Sequence, residues 1–253
     1  MPALSNDPST ERTPAVVLTG DPGLGVAEPR RRPSRPGPWH WAPRPGCRYR
    51  GGRLVVKRLV DLAVATVLIV ALAPLLAVIG LAVRSSSPGP AVYRQVRVGR
   101  NGQPFTIFKF RTMQADAEEH LRRDGELRAR YLAGGFKLAM GEDPRITRLG
   151  AMLRKTSVDE LPQLFNVVRG EMSLVGPRPV LAEELEQYGP YRRAYLLAFP
   201  GMTGAWQVAG RDAVRFPRRA ALDARYVEDW SLLGDLAILL RTVPAALAAR
   251  GVA

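Results

Sequence analysis

The chain has 253 residues and carries 37 lysines and arginines against 23 aspartates and glutamates, which gives a formal net charge of +14. This length suits one domain with appendages, and the charge suits anionic partners such as phosphorylated substrates, anionic lipid or nucleic acid. The single cysteine, Cys47, excludes an internal disulfide, and two histidines are too few for a histidine-rich transition-metal site.

The first segment, residues 1–52, is predicted to be a disordered basic tail. Ten of the chain's 22 prolines fall within residues 1–50, and the apolar residues there show little periodicity. The arginine cluster at residues 30–32 suits a solvated linker or a contact with anionic lipid. The segment is therefore expected to lie outside the folded core.

An apolar segment follows, and it predicts a membrane helix. Residues 59–83 contain one charge, Asp61, and as a straight helix they would measure about 37 Å, enough to cross a bilayer. Pro74 interrupts the segment, and basic residues flank both ends, which is typical of ends that stay on the cytoplasmic side. We therefore predict a broken, re-entrant helix over residues 53–84. A straight spanning helix and a buried core helix are the alternatives.

The remainder, residues 85–253, is predicted to form one folded domain that is mainly α with minor β. Short strands at residues 93–98 and 105–110 flank a turn at residues 99–102. Residues 204–210 form a loop or a short strand. The apolar pattern and the breaks between segments predict helices over residues 112–133, 146–153, 159–168, 180–188, 220–230 and 232–247.

The most informative local pattern is a pair of adjacent carboxylates, Asp159 and Glu160, at a predicted helix start. Ser157 suits the N-cap, Glu160 completes a capping box, and Pro162 is tolerated in a first turn. We expect the helix N-terminus and nearby cations to lower the pKa of Asp159, so that it faces an anionic substrate as a carboxylate nucleophile. An ordinary helix start that favours acidic residues is the alternative.

Four longer motifs follow one another along the chain, and the second of them contains this pair. They are KFRTM at residues 109–113, RKTSVDELPQL at 154–164, SLVGPRP at 173–179 and PGMTGAWQVAGR at 200–211. Together with the apolar segment, they closely resemble the bacterial sugar transferase family, the membrane-bound polyprenol-phosphate phosphoglycosyl transferases. The resemblance extends over residues 57–244 and so implies that residues 85–253 form the catalytic domain.

The resemblance implies a reaction in two steps. A carboxylate attacks the β-phosphate of a nucleoside-diphosphate sugar, such as a UDP-hexose, and polyprenyl phosphate then takes the sugar phosphate from the aspartyl intermediate. Asp159 is the implied nucleophile, and Glu160 is its partner and a ligand of Mg²⁺. One acidic ligand suffices, because Mg²⁺ binds few carboxylates and takes its other ligands from substrate phosphates and water.

Six further residues are implied to bind the substrate. At strand period Lys109 and Arg111 share one face, although an ordinary amphipathic strand would look the same. Arg154 suits a bidentate phosphate contact or a surface ion pair, and the flanking prolines hold Arg178 in a stiff backbone that suits a phosphate contact or a structural turn. The full set is Lys109, Arg111, Arg154, Arg178, Gln207 and Arg211.

The implied partners are a nucleoside-diphosphate sugar, polyprenyl phosphate and membrane lipid, at the cytoplasmic face of a bacterial cell membrane and without nucleic acid. A homodimer, the sugar and the glycan pathway stay open. The chain reads Ala73-Pro74 where the family usually has Ser-Pro, so a hydroxyl at the helix break is missing. The rival interpretations are a non-enzymatic basic membrane adaptor and a CDP-alcohol phosphotransferase, which would carry several aspartates on membrane helices.

Overall fold

The computed structural model describes residue 49 and residues 51–134, 138, 140–210 and 213–248. Almost all of the predicted tail lies outside these residues, so its disorder stays a prediction. Within them the chain is mainly helical with two small two-stranded sheets, which confirms the predicted mainly α fold with minor β.

Helices and short strands alternate along the described residues. The helices are α1 (Gly52–Ser86), α2 (Ala117–Arg123), α3 (Gly125–Ala133), α4 (Arg148–Thr156), α5 (Gln163–Arg169), α6 (Ala182–Leu185), α7 (Arg192–Leu197), α8 (Ala205–Val208), α9 (Arg218–Glu228) and α10 (Leu232–Ala248). The strands are β1 (Val92–Val98), β2 (Pro104–Phe110), β3 (Ser173–Val175) and β4 (Gly201–Thr203). Short 3-10 turns lie at Arg100–Gly102, Met140–Glu142, Val158–Glu160 and Glu186–Tyr191.

The antiparallel strands β1 and β2 form a hairpin with two chemically different faces. Their register places Tyr93 opposite Lys109 and Arg94 opposite Phe108. Because successive side chains point to opposite sides of a strand, Lys109 lies on one face and Phe108 on the other. Both strands were predicted to within one residue at each end.

Among the described residues, α1 is the one helix long and apolar enough to cross a membrane. It continues through Pro74, so the predicted break into two helical arms is wrong. An internal proline removes one backbone hydrogen bond and bends a helix, but the alanines and leucines on both sides favour helix strongly enough to carry it onward. The helix reaches 35 residues, about 52 Å if straight.

Buried charges anchor the first turns of α1 inside the domain. Lys57 Nζ lies 2.6 Å from Asp235 Oδ2 and 3.8 Å from Asp61 Oδ2. Asp61 also accepts a hydrogen bond of 3.2 Å from the Leu174 N–H. Asp61, the one charged residue within the predicted membrane segment, therefore contacts the folded domain.

Beyond these turns α1 shows an apolar surface to its surroundings. Val70 and Leu81, for example, are each 70% exposed. The inner side of the helix nevertheless packs on the domain near both ends, where Leu54 joins the main core and Val83 packs with Phe110. Both ends of α1 therefore contact the same folded domain.

The parallel pair β3 and β4 brings two of the sequence motifs together. Ser173 lies opposite Gly201. A Cβ atom at Gly201 would overlap the backbone nitrogen of Gly176, so only glycine permits this approach of the two chains. The segment that carries Arg178 is thereby fixed against the last motif.

The predicted helix over residues 112–133 is wrong at its start and in its middle. Met113 pairs with Ile146 in an antiparallel bridge, and α2 and α3 follow as separate helices. Asp124 lies between them and caps α3 by accepting a hydrogen bond of 2.9 Å from the Leu127 N–H. A short polar side chain that bonds the backbone in this way favours a new helix start over continuation.

Tyr49, which falls within the predicted tail of residues 1–52, belongs to the core. It is 2% exposed, and its ring lies against those of Tyr226 and Trp230. Its hydroxyl accepts a hydrogen bond of 3.1 Å from the Phe199 N–H. No periodic pattern marks this position in the sequence, since a single aromatic residue before a helix has no repeat to detect.

Candidate active site

The adjacent carboxylates lie on a tight turn between two helices. Helix α4 ends at Ser157, which adopts a left-handed conformation with φ 57°, and Val158–Glu160 then form a 3-10 turn before α5. The predicted capping box is wrong, because Ser157 closes the preceding helix and makes no side-chain cap for the next one. Its N–H instead donates to the Arg154 carbonyl oxygen at 3.1 Å.

Glu160 is held by two cations. Its Oε1 accepts hydrogen bonds from Lys109 Nζ at 2.7 Å and from Arg178 Nη1 at 3.2 Å. Burial alone would raise the pKa of Glu160, but the charges of Lys109 and Arg178 outweigh it and lower that pKa to about 2. Glu160 is therefore an ionised anchor that fixes both cations beside the pair.

The pKa of Asp159 is shifted in the opposite direction to that of Glu160. Asp159 is 7% exposed, and no described residue forms a hydrogen bond with its carboxylate. Burial and the charge of Glu160 raise its pKa to about 6, although Lys109, Arg154 and Arg178 act against this. The expectation of a lowered pKa is therefore wrong, since it weighed the cations but not the loss of solvent. At neutral pH the group is still mainly ionised.

The side chain of Thr112 positions the guanidinium of Arg154 by a hydrogen bond. The Nε of Arg154 donates to Thr112 Oγ1 at 2.8 Å. A Cβ atom at Gly150 would overlap the Thr112 carbonyl oxygen, so a glycine there lets α4 approach closely. Burial lowers the pKa of Arg154 while the charge of Asp159 opposes that effect, which places this cation within electrostatic reach of the candidate nucleophile. The sequence motifs predicted no separate role for Thr112.

A narrow polar cleft lies over Glu160. Lys109, Arg178 and Gln163 line it, and Arg97 contributes a further cation from the same face of the hairpin. The Nη1 of Arg97 lies 3.1 Å from Glu184 Oε2, while its Nε is buried without a hydrogen-bond partner. Arg97 is not among the predicted site residues, although the period of two along β1 and β2 could have placed it beside Lys109.

The structure does not bring Arg111 to this cleft. Its guanidinium donates to the carbonyl oxygens of Val83, Ser87 and Pro88 at 3.3, 2.6 and 2.7 Å. Strand β2 ends at Phe110, so the alternation that predicted a shared face with Lys109 stops one residue too early. Arg111 therefore connects the C-terminal end of α1 to the end of β2 through hydrogen bonds.

The last motif, residues 200–211, lines the cleft with Gly201 and Met202, whereas its Trp206 and Gln207 do not line the cleft. Gln207 donates from Nε2 to the Met202 carbonyl oxygen at 3.2 Å, and its Oε1 is buried without a partner. Trp206 is buried with the Arg219 guanidinium 4.3 Å from its ring centroid. Arg211 lies outside the described residues, so its substrate-binding role stays a prediction.

The donor set around the pair fits a magnesium ion that takes most of its ligands from a substrate. No group of three or more His, Cys, Asp or Glu side chains suited to a metal occurs among the residues that the structure describes. Glu160 uses only Oε1 in its hydrogen bonds, which leaves Oε2 available beside the unpaired Asp159 carboxylate. One or two carboxylates completed by phosphates and water is the usual Mg²⁺ environment.

Comparison with known proteins identifies the group to which this architecture belongs. The profile of the family described as bacterial sugar transferase matches residues 52–249. The chain is 48% identical over 193 residues to an uncharacterized sugar transferase of Haemophilus influenzae, covering 75% of this chain and 40% of that protein. It thus spans less than half of that relative's length.

Two other relatives match over most of their own length. The chain is 45% identical over 199 residues to the exopolysaccharide production protein ExoY of Sinorhizobium fredii, covering 78% of this chain and 88% of that protein. It is 45% identical over 199 residues to the UDP-glucose:undecaprenyl-phosphate glucose-1-phosphate transferase of Caulobacter vibrioides, covering 76% of this chain and 69% of that protein. The four motifs, the carboxylate pair and the family match agree, and the chain belongs to the bacterial sugar transferase family.

Proposed function

We propose that the protein transfers a sugar 1-phosphate from a nucleoside-diphosphate sugar, a UDP-hexose, to undecaprenyl phosphate. The observation that carries this proposal is the contrast within the carboxylate pair. Asp159 is unpaired and available, while Glu160 holds Lys109 and Arg178 beside it. A free carboxylate surrounded by fixed cations suits nucleophilic attack on a diphosphate.

In the first step an oxygen of Asp159 attacks the β-phosphorus of the sugar nucleotide. The bond from that phosphorus to the bridging oxygen breaks, UMP leaves with the bonding electrons, and an aspartyl-phosphosugar forms. Lys109, Arg178 and Arg154 offset the repulsion between the carboxylate and the diphosphate. Glu160 would help to hold a Mg²⁺ ion, which would supply further charge neutralisation.

In the second step a phosphate oxygen of undecaprenyl phosphate attacks the same phosphorus. The bond to Asp159 breaks, the carboxylate is regenerated, and the product is an undecaprenyl-diphosphate sugar. The Caulobacter relative's name includes the same acceptor, and the Sinorhizobium relative is named for exopolysaccharide production. We accordingly assign the product to the priming of a bacterial exopolysaccharide or a related glycan.

A re-entrant placement of α1 at the cytoplasmic face of the membrane fits this reaction. A spanning helix would separate its two ends by the thickness of the bilayer, about 30 Å of hydrocarbon. Here Leu54 and Val83, at opposite ends of α1, both pack on the catalytic domain. A bend at Pro74 within a continuous helix would then suffice to keep both ends on one side.

The test separates the two half-reactions. Purified full-length protein is incubated with Mg²⁺ and a panel of UDP-hexoses, first without and then with undecaprenyl phosphate. We expect a burst of UMP close to one equivalent of enzyme without acceptor, and a sugar-phosphate adduct on the peptide that contains Asp159. Turnover with acceptor but no UMP in its absence would instead indicate a single displacement and overturn the covalent route.

A further inference from the structure

An apolar groove lies on the opposite face of the hairpin from the carboxylate pair. Its volume is about 450 Å³, and it opens between α1, the hairpin and α5. Leu76 and Gly80 line it from α1, and Phe108 and Phe110 line it from β2. The hairpin thus separates an apolar groove on one face from the polar cleft with Lys109 on the other.

Helix α5 completes the groove with a single stripe of side chains. Pro162, Phe165 and Arg169 follow at intervals of three and four residues, which places them on one face of the helix. Phe165 is 45% exposed although it is a large apolar residue. A phenylalanine that faces a groove continuous with the exposed surface of α1 indicates an apolar occupant.

Two cations lie at one end of this groove. The guanidinium carbons of Arg94 and Arg169 lie 5.8 and 4.8 Å from the centroid of the Phe108 ring. Both side chains are exposed, and neither forms an ion pair with another described residue. The groove is therefore apolar along its length and doubly positive at one end, the charge pattern of a site for a phosphate-headed lipid chain.

We propose that this groove binds an acyl chain of an anionic bilayer phospholipid, with the headgroup phosphate bound by Arg94 and Arg169. The groove runs beside the exposed apolar face of α1, from which a bilayer lipid can enter. Val158, the residue before the carboxylate pair, packs in one cluster with Phe110, which lines the groove. A phosphate at the arginine end would lie on the wrong face of the hairpin to react at Asp159, so a bilayer lipid fits better than the polyprenyl acceptor.

The test measures lipid binding directly. Full-length protein in detergent is titrated with phosphatidylglycerol, and bound lipid is counted by native mass spectrometry, with phosphatidylcholine in parallel. We expect the double variant Arg94→Ala/Arg169→Ala to weaken phosphatidylglycerol binding about tenfold or more, since basic residues at a lipid surface contribute strongly. The matched control is Arg122→Ala/Arg128→Ala, which removes the same charge from exposed positions on α2 and α3.

A second variant tests whether the groove binds the acyl chain of the lipid, as distinct from its headgroup. A Cβ atom at Gly80 would lie 3.8 Å from Phe110 Cε1, an ordinary contact, so Gly80→Leu extends into the groove without a clash. We expect it to displace the lipid, whereas Val78→Leu, on the exposed side of the same helix, should not. Equal loss in the arginine control, or unchanged binding in Gly80→Leu, would overturn the proposal. Displacement of phosphatidylglycerol by undecaprenyl phosphate, with a raised acceptor KM in Gly80→Leu, would assign the groove to the acceptor instead.

Discussion

Asp159 and Glu160 are neighbours in the chain, yet their carboxylates have opposite environments. Glu160 Oε1 accepts hydrogen bonds from two cations, while no described residue hydrogen-bonds to Asp159. The pKa of Glu160 is lowered to about 2 and that of Asp159 is raised to about 6. The two cations are thus hydrogen-bonded to Glu160, while the proposed nucleophile, Asp159, forms no hydrogen bond with a described residue.

Replacing Asp159 with asparagine should abolish catalysis and stabilise the fold. The amide cannot attack phosphorus, so both UMP release and lipid product should vanish. Because the folded-state pKa is raised above the ordinary value of 3.8, the ionised group destabilises the folded chain at neutral pH. We expect Asp159→Asn to increase the free energy of unfolding by about 1–3 kcal/mol, measured by denaturant titration at pH 7.5.

The corresponding control is Asp116→Asn, at an exposed carboxylate outside the cleft. It should change neither activity nor stability measurably. Retained activity in Asp159→Asn would remove this residue from the mechanism, and a loss of stability would contradict the strained environment inferred from its burial.

The pH dependence of the first half-reaction should report the raised pKa of Asp159. The carboxylate attacks only when ionised, so the single-turnover rate of UMP release should rise with pH through about 6 and level off above it. Rapid-quench measurements between pH 4.5 and 8 would test this. A rate that is flat down to pH 4.5 would indicate a nucleophile with an ordinary pKa.

Replacing Glu160 with glutamine should cost both turnover and stability. Its lowered pKa means that its ionised form stabilises the fold above the ordinary value of 4.5, and that this contribution is lost as the pH falls through about 2. Glu160→Gln leaves Lys109 and Arg178 without their shared partner, so we expect a loss of about 1–3 kcal/mol in the free energy of unfolding at pH 7. Activity should fall and depend more steeply on Mg²⁺ concentration, measured by UMP release.

Arg178 and Arg111 should respond differently to truncation, although both were predicted to bind substrate. Arg178 borders the cleft with its side chain 40% exposed, so Arg178→Ala should keep its melting temperature within a few degrees and lower kcat/KM on the order of 10²-fold. Arg111 is buried on three carbonyl oxygens, so Arg111→Ala should unfold at a clearly lower temperature. Equal loss of stability in both variants would contradict the assignment of Arg178 to substrate binding and of Arg111 to the fold.

Thr112 should act on catalysis only through Arg154. Thr112→Val keeps the shape of the side chain but removes the hydrogen-bond acceptor of the guanidinium, whereas Thr112→Ser keeps it. We expect the valine variant to lower kcat/KM for the sugar nucleotide about tenfold, and the serine variant to restore most of it. Equal activity in the two variants would show that this hydrogen bond does not position Arg154.

Periodic and contiguous features could be predicted from the sequence, and features that depend on distant partners could not. The hairpin, α1 and the carboxylate pair each carry a local signal in spacing or composition. The role of Arg111 depends on the exact end of β2, and the pKa of Asp159 depends on burial that one sequence does not display. Likewise, Tyr49 and Thr112 are fixed by single contacts with residues far along the chain, which leave no repeat to detect.

The buried contact between Lys57 and Asp235 also imposes an order on biosynthesis. The two residues are separated by 178 positions, so the ammonium group of α1 has left the ribosome long before its partner is made. At about 5–20 residues per second, the interval is on the order of 10–35 s. During it, Lys57 has only Asp61, one turn further along α1, as a buried ionic partner. The packing of α1 on the domain is therefore completed only after α10 has been synthesised. A chain that stops before Asp235 should consequently be degraded by the cell's quality-control proteases.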